Sequence, residues 1–396
     1  MEKMLKDIDK NREWLIETRH KLHKIPELDF QLPKTVAYVT KALDEMGISY
    51  KTGVGKSGIV ADIKGKDNSI TIALRADMDA LPILECSDKE YKSTIEGHMH
   101  ACGHDAHTSI LLGVGKILSE NREDVPCNVR LIFQPAEETS GGALPMIQDG
   151  CLEGVDAIFG LHVDPTLECG IVGIKYGAYC ASSTDVKIEI EGKSCHGAYP
   201  SQGVDAIVTA CSIVTSLQSI ISRNVDSRDS AVLSFGKING GDKENIIAQK
   251  VTISGTLRTL SNEVKAKVKE RVKEMVESCA RGYGAEGKVS YADGYTALIN
   301  HNEYVELIKE NALNLLGEKF VHVKDLANMG VEDFAYYIEK VPGAFFHFGV
   351  GNVSKGIVAP LHSSQFDIDE NSLEIGVKLQ VLNIFSAYKK LRKNKI

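Results

Sequence analysis

The sequence predicts an α/β protein, with a mostly parallel sheet covered by helices on both faces and an inserted α+β domain. Three observations carry this. Apolar runs at 69–75, 129–133 and 157–161 alternate with helical patterns, as strands buried on both faces do. From about 183 the texture changes to strict alternation in Asp185-Val186-Lys187-Ile188-Glu189-Ile190-Glu191, the mark of a half-exposed strand. A chain of 396 residues also exceeds one compact core. The expected organisation is a first domain from 1–182 and 294–396, with 183–293 inserted.

Residues 1–47 read as two helices around a turn. The first runs to about His23 and is broken by Ile25-Pro26-Glu27. The second carries Val36, Val39, Leu43 and Met46 at helical spacing. Strands follow at 48–50 and 58–63. Between them Gly53-Val54-Gly55-Lys56-Ser57-Gly58 fits GxGxxG, but a β-type run follows where a dinucleotide fingerprint needs a helix. A P-loop is excluded because Tyr50 stands where its first glycine belongs, so this is a hairpin turn. The strand at 69–75 ends in Ala76-Asp77-Met78-Asp79, the strand at 129–133 in Gln134-Pro135-Ala136-Glu137-Glu138, and the strand at 157–161 in His162. Polar candidates thus gather past the carboxyl ends of strands, where open α/β sheets place their sites. The inserted stretch shows strands at 185–191, 231–235, 249–258 and 288–291, with helices near 203–221 and 261–281, an antiparallel sheet with helices on one face. A helix near 303–316, a strand at 344–349, a loop with His362 and a terminal helix complete the chain.

Composition narrows the function. Hydrophobic residues are 43% and charged residues 25%, ordinary for a soluble globular protein. A net charge of −8 without a Lys/Arg stripe argues against nucleic acid as a partner. No window of eighteen uninterrupted apolar residues is present, so no membrane partner is expected. The N-terminus lacks the apolar core of a signal peptide. Nine cysteines without a CxxC pair fit reduced thiols and a cytoplasmic location.

The chemistry concentrates in Gly97-His98-Met99-His100-Ala101-Cys102-Gly103-His104-Asp105-Ala106-His107, which holds four of the twelve histidines and leads into an apolar helix. Cys102, His104, Glu137, Glu138, His162 and His362 offer a mixed N/O/S donor set. Such a set suits Zn²⁺, Mn²⁺, Co²⁺ or Ni²⁺ better than Ca²⁺ or Mg²⁺. The paired C-x₂₋₄-C spacing of a structural zinc site is absent. Neighbouring side chains in an extended segment point apart, so one of Glu137 and Glu138 can ligate a metal while the other acts as a general base. The competing role is a pair of solvated acids. No GxSxG elbow exists. Cys102 beside a histidine could be a nucleophile, but a thiol among histidines is better placed for capture by metal. In the inserted stretch, Ser194-Cys195-His196-Gly197 forms a loop, and Asn245 and Arg258 follow. Arg258 on a small, apolar strand points to carboxylate recognition, with a surface salt bridge as its competing role.

These motifs resemble the M20 metallopeptidase family, in particular its amidohydrolase branch of hippurate hydrolase, N-acyl-amino-acid amidohydrolase and auxin-conjugate hydrolases. The resemblance rests on His20-Lys21-Leu22-His23 with Pro26-Glu27, on Arg75-Ala76-Asp77-Met78-Asp79-Ala80-Leu81-Pro82 and on His100-Ala101-Cys102-Gly103-His104-Asp105-Ala106-His107. Gln134-Pro135-Ala136-Glu137-Glu138, Gly160-Leu161-His162, His196-Gly197-Ala198-Tyr199-Pro200, Gly255-Thr256-Leu257-Arg258, Met329-Gly330-Val331-Glu332-Asp333-Phe334 and Leu361-His362-Ser363 continue it. It implies a zinc-peptidase-like catalytic domain and an inserted lid domain that also forms a homodimer or a higher homo-oligomer. It implies two divalent ions held by Cys102, His104, Glu138, His162 and His362, with Cys102 bridging. Glu137 becomes the general base and acid, His196 polarises the substrate carbonyl, and Asn245 and Arg258 hold the carboxylate of a small-molecule N-acyl amino acid. Ser201, Val331 and Ser364 depart from the family's usual residues and touch no implied ligand. A dipeptidase or carboxypeptidase on the same scaffold is the alternative, and a non-catalytic metal or ligand binder is a third.

Overall fold

A computed structural model describes residues 1–394. The chain forms two units. The first comprises Met1–Gly177, Ile299–Leu326 and the chain from Tyr336 onward, and the second Ala178–Leu298 with Ala327–Ala335. The second unit is therefore wider than 183–293 and includes the return segment 327–335, which the sequence places in the first domain. Backbone pairing explains this. The Ala181 N–H donates to the carbonyls of Asn328 and Gly330, and the Asn328 N–H donates to Tyr179.

The first unit is built on an eight-stranded sheet. Its strands are β1 (Ser49–Val54), β2 (Gly58–Ile63), β3 (Asp67–Asp77), β4 (Cys127–Gln134), β5 (Ala157–Glu168), β6 (Val172–Ile174), Val321–Val323 and Gly343–Gly351. Their order is β1-β2-β4-β3-β5, then 343–351, β6 and 321–323. The four central strands are parallel. The β1–β2 hairpin joins β4 antiparallel, and β6 runs against 343–351. The parallel strands are apolar on both faces: Ile72, Ala73 and Leu74, Leu131 and Ile132, and Ile158 and Phe159 are all fully buried. Helix α4 (His104–Glu120) is buried along nearly its whole length, from His104 to Leu118. At about 1.5–3 kcal/mol for each fully buried Leu, Ile or Val, its Ile110, Leu112, Val114 and Leu118 root the ligand-rich loop in the core.

Two readings need correction. The first predicted helix is two, α1 (Glu2–Lys10) and α2 (Arg12–His23). Asn11 leaves the helical region at φ −94°, ψ 10°, and its side-chain amide donates to the Asp7 carbonyl, the competition with backbone bonding that makes Asn a poor helix-interior residue. His162 does not end a strand. β5 continues to Glu168, and His162 lies opposite His347 of the parallel strand Gly343–Gly351. The short strands at 172–174 and 321–323 escape the sequence pattern because three residues show no period. The GxGxxG segment is the turn of the β1–β2 hairpin, with Gly55 at φ 58° and Lys56 at φ 78°.

The Pro26-Glu27 motif acquires a structural role. The buried Glu27 carboxylate accepts hydrogen bonds from the N–H groups of Lys34 and Thr35 and from the Thr35 hydroxyl. It thereby satisfies orphan donors at the start of α3 (Pro33–Glu45).

The second unit is a four-stranded antiparallel sheet in the order 286–293, 182–191, 250–259, 231–240. One face packs on the helices Ala206–Asn224 and Asn262–Gly282, burying Ile188, Ile190, Ile253 and Leu257 against Ile213, Leu217, Val268 and Val272. Asp205 and Ser261 cap the two helices. Among the described residues one helix, Ala206–Asn224, is long and apolar enough to cross a membrane by length and composition. Its Ala206, Ala210, Ile213, Leu217 and Ile220 belong to this core.

Candidate active site

The first unit gathers the candidate ligands from four elements. Cys102 and His104 flank Gly103, which caps α4 in the left-handed conformation at φ 84°. A Cβ there would lie 2.4 Å from Val163 Cγ2, so glycine alone allows the loop to lie against β5. β4 delivers Pro135, then Ala136 at φ 58°, then Glu137 and Glu138. β5 supplies His162, and the loop after 343–351 supplies His362 at φ 61°. Two non-glycine residues in the left-handed region, each costing about 1–3 kcal/mol, mark a backbone held in place by its surroundings.

Three overlapping clusters result: Cys102, His104 and His162; Cys102, Glu138 and His362; and His104, Glu137 and Glu138. In each, one potential ligand atom per residue lies within 4.8 Å of the others. Cys102 Sγ is 3.3 Å from His162 Nε2. His162 Nδ1 donates to the Val163 carbonyl at 2.7 Å, which leaves the Nε2 lone pair directed at the cluster. Glu138 lies 3.4 Å from His362 and 3.7 Å from His104.

A shell of carboxylates stands behind these groups. The Asp79 carboxylate accepts the backbone N–H groups of Glu137 and Glu138 at 3.1 and 3.0 Å and lies 3.3 Å from His104 Nδ1. Asp77 takes a hydrogen bond from His107 Nδ1 at 2.6 Å and an ion pair from Arg75 at 2.7 Å. His107 Nε2 accepts the Val163 N–H at 2.9 Å, so His107 is the Nδ1–H tautomer. It supports β5 beside His162; it also lies in a further group with Asp77 and His104, but both its nitrogens are already engaged. Of the four histidines in 97–107, only His104 joins the three clusters above.

The electrostatics call for a cation. Burial opposes protonation of His104, yet Asp77, Asp79 and Glu138 outweigh it and raise its pKa to about 10. Burial also works against the Glu138 carboxylate, but His362, His104 and Cys102 bring it down to about 2. Burial, then Glu138 and Glu137, pushes the Cys102 thiol well above its ordinary value, which disfavours a free thiolate nucleophile. Both ring nitrogens of His104 and one oxygen of Glu138 are buried without a hydrogen bond of ordinary geometry. Orphaned donor atoms, a thiol, imidazoles and carboxylates in one anionic pocket fit a divalent metal, which would deprotonate the thiol on binding.

The other predicted residues lie in the second unit. The Gly197 N–H donates to the Asn245 carbonyl at 2.8 Å, and His196 bridges to Ile246, so the His196 and Asn245 loops adjoin. His196 Nδ1 accepts the Ala198 N–H at 3.1 Å, which puts its proton on Nε2. Arg258 lies on the strand Lys250–Thr259 opposite Ser183 and Val232. Its Nη1 is buried with no hydrogen-bond partner among the described residues. The sequence reading omits Asp77, Asp79 and His107 as site residues. The signal for the first two was the pair of aspartates closing an apolar strand.

The sequence matches the profile of Peptidase family M20/M25/M40 over residues 73–384. It is 40% identical to N-acetyl-L-cysteine deacetylase of Bacillus subtilis, over 91% of this chain and 84% of that one. It is 36% identical to thermostable carboxypeptidase 2 of Saccharolobus solfataricus, over 96% and 97%. The fold matches the crystal structure of Bacillus subtilis YXEP protein, a dinuclear metal binding peptidase from the M20 family, with TM-score 0.84 and 33% identity, covering 95% of this chain and 98% of that one. A donor set suited to divalent metal, gathered from the α4 start, the end of β4, β5 and the His362 loop, together with these similarities, makes the chain a member of peptidase family M20/M25/M40.

Proposed function

We propose that this chain is a metal-dependent amidohydrolase that cleaves N-acyl amino acids to a carboxylic acid and a free amino acid. The observation that carries the reading is the Glu137-Glu138 pair. Asp79 holds both backbone N–H groups, and Glu138 falls among the ligand-type atoms of Cys102 and His362. One carboxylate is thus available to a metal and its neighbour to a proton. In this reading Cys102, His104, Glu138, His162 and His362 would hold two divalent ions, Zn²⁺ or Mn²⁺ before Co²⁺ or Ni²⁺. When bound, such ions supply Lewis acidity at the amide carbonyl and make a water easier to deprotonate.

The residues of the chain do the rest. Glu137 accepts a proton from water as the water oxygen bonds to the amide carbon. It returns that proton to the nitrogen as the C–N bond breaks, so one water adds across one amide. His196 donates its Nε2–H to the carbonyl oxygen as negative charge develops, a contribution of the kind worth about 2.7–4 kcal/mol. Arg258, whose Nη1 lacks an acceptor, pairs with the free carboxylate of the substrate, with Asn245 beside it. The second unit serves as a lid and joins two copies. Its edge strand Ala231–Gly240 and the exposed Ile207 and Val208 of the neighbouring helix support that role. Nine free thiols support a cytoplasmic setting.

The similarity to a carboxypeptidase keeps a peptidase on the same scaffold as the second reading. Both are tested by amino-acid release from N-acetyl and N-benzoyl amino acids and from dipeptides, using protein stripped of metal and reloaded with Mn²⁺ or Zn²⁺. Turnover of the acylated substrates is expected, and turnover of dipeptides alone selects the second reading. Glu137→Gln should lower kcat about 10²–10⁴-fold. Near-normal turnover in the folded, metal-loaded variant removes Glu137 from the mechanism.

A further inference from the structure

We propose that Arg19 and Asp367 are positioning residues for His362. They hold its loop against the helix start that carries His104, and so set the affinity for one of the two ions. The inference rests on the reading of His362 as a metal ligand.

Arg19 of α2 is fully buried. Its guanidinium divides between two distant segments. Nε donates to Asp105 Oδ2 at 3.0 Å, Nη2 to Asp367 Oδ1 at 2.8 Å and Nη1 to Glu370 Oε1 at 3.1 Å. Asp105 is the second residue of α4, next to His104. Asp367 follows His362 in the same loop. One planar fork thereby joins the segments that present two of the proposed ligands. Lysine could not replace it, because a single ammonium lacks the fork.

The His362 loop needs such a hold. The His362 side chain is 54% exposed and its φ is 61°, so neither burial nor backbone preference fixes it. The contacts that do fix the loop converge on the same place. The His362 N–H donates to the Ala101 carbonyl at 2.8 Å, and the Cys86 N–H to Ser364 at 2.8 Å. Tyr91 donates its hydroxyl to Asp367 at 2.8 Å, and Lys89 approaches it at 3.3 Å. The Phe366 ring lies 3.4 Å from where a Cβ on Gly103 would stand. His23 pairs with Asp105 at 2.8 Å and His20 with Glu370 at 2.6 Å, but neither spans both segments as Arg19 does. His362 belongs to the cluster with Cys102 and Glu138, and the cluster of Cys102, His104 and His162 does not include it. The effect of loosening the joint therefore falls on one ion.

The test is a calorimetric titration of metal-free full-length protein with Zn²⁺, together with metal content after dialysis against a weak chelator. The variants are Asp367→Asn, Arg19→Gln and His362→Ala. Wild type is expected to take up two ions. Asp367→Asn and Arg19→Gln should bind the first ion as wild type does and the second about 10–100-fold more weakly, the usual effect of removing a residue that orients a ligand. Arg19→Gln removes a fully buried charge and costs stability, but Asp367→Asn keeps side-chain shape at a position with 11% side-chain exposure. A core variant with a matched loss of melting temperature, Val377→Ala, separates positioning from general destabilisation and should bind both ions normally. If Val377→Ala weakens the second ion equally, or Asp367→Asn binds both ions as wild type does while His362→Ala loses one, the positioning role is overturned. If His362→Ala itself binds two ions normally, the ligand reading falls and the inference with it.

Discussion

Asp79→Asn is the substitution whose consequences follow most directly from the geometry. The side chain is fully buried, and its two oxygens accept the N–H groups of Glu137 and Glu138 at 3.1 and 3.0 Å. Asparagine keeps the shape but offers one oxygen and one NH₂ group. One backbone N–H then faces another donor and is left unsatisfied, at about 1–3 kcal/mol. The other bond changes from charge-assisted to neutral, losing about 1 kcal/mol more. Together this is about 2–4 kcal/mol, comparable to the cost of holding Ala136 at φ 58°. The segment can respond in two ways. If Ala136 relaxes out of the left-handed region, the Glu137 carboxylate moves and kcat falls by about 30- to 1000-fold. If packing holds Ala136 in place, the same energy appears as a lower melting temperature. The assay is kcat at saturating metal and substrate, paired with a thermal melt of the same preparation. A variant within threefold of wild type in kcat, by a rough margin of about 0.7 kcal/mol, and with an unchanged melt refutes the claim that Asp79 holds the general-base segment.

Further outcomes follow from single residues. Gly103→Ala forces a left-handed alanine, about 1–2 kcal/mol, and places a methyl 2.4 Å from Val163. Lower metal content and a lower melting temperature are expected, and a normal value of both counts against the loop geometry. Removing metal should destabilise the protein by about 2.7 kcal/mol relative to metal at 100 times Kd, because His104 and Glu138 keep buried, unpaired atoms without it. Superimposable melts with and without Mn²⁺ or Zn²⁺ would refute that. Alkylation of the native protein mapped by mass spectrometry should modify exposed Cys86 and Cys211 first. Burial pushes the Cys127 and Cys151 thiols up to about 12, so earlier reaction at either contradicts the packing. Burial would raise the Asp293 carboxyl, but Lys269, Thr184 and Lys265 bring it down to about 2. Its folded value lies below its unfolded one, so its stabilisation is present above about pH 4 and is lost as pH falls through about 2. The side chain is 47% exposed, so screening keeps this below about 1 kcal/mol. Urea melts between about pH 5 and about pH 2.5 should show a shallower acid slope for Asp293→Asn, and parallel slopes refute it.

What could be read from the sequence divides along a physical line. The parallel centre of the sheet is legible because strands buried on both faces must be apolar throughout, as Ile72, Ala73 and Leu74 are. The candidate ligands are legible because Cys102 and His104 sit in a ligand-dense segment that leads into an apolar helix, and Glu137 and Glu138 follow an apolar strand, where a buried polar group needs a partner. The residues that escape notice act on the backbone of others. Asp79 serves the N–H groups of residues 58 and 59 positions away, and Arg19 joins segments 86 and 348 positions away. Such bonds follow no local period, so helical or strand spacing cannot find them. His107 shows the converse. It lies in the richest ligand motif of the chain, yet its two nitrogens serve Asp77 and the Val163 N–H, so it is spent on position and not on metal. Residue type identifies which side chains can bind, and only the hydrogen bonds of the fold decide which are left free to do so. By that argument orphaned atoms mark function where they also converge with other ligand atoms, as those of His104 and Glu138 do and those of the equally orphaned His100 do not, a sharper test than the density of histidines from which the metal site is first suspected.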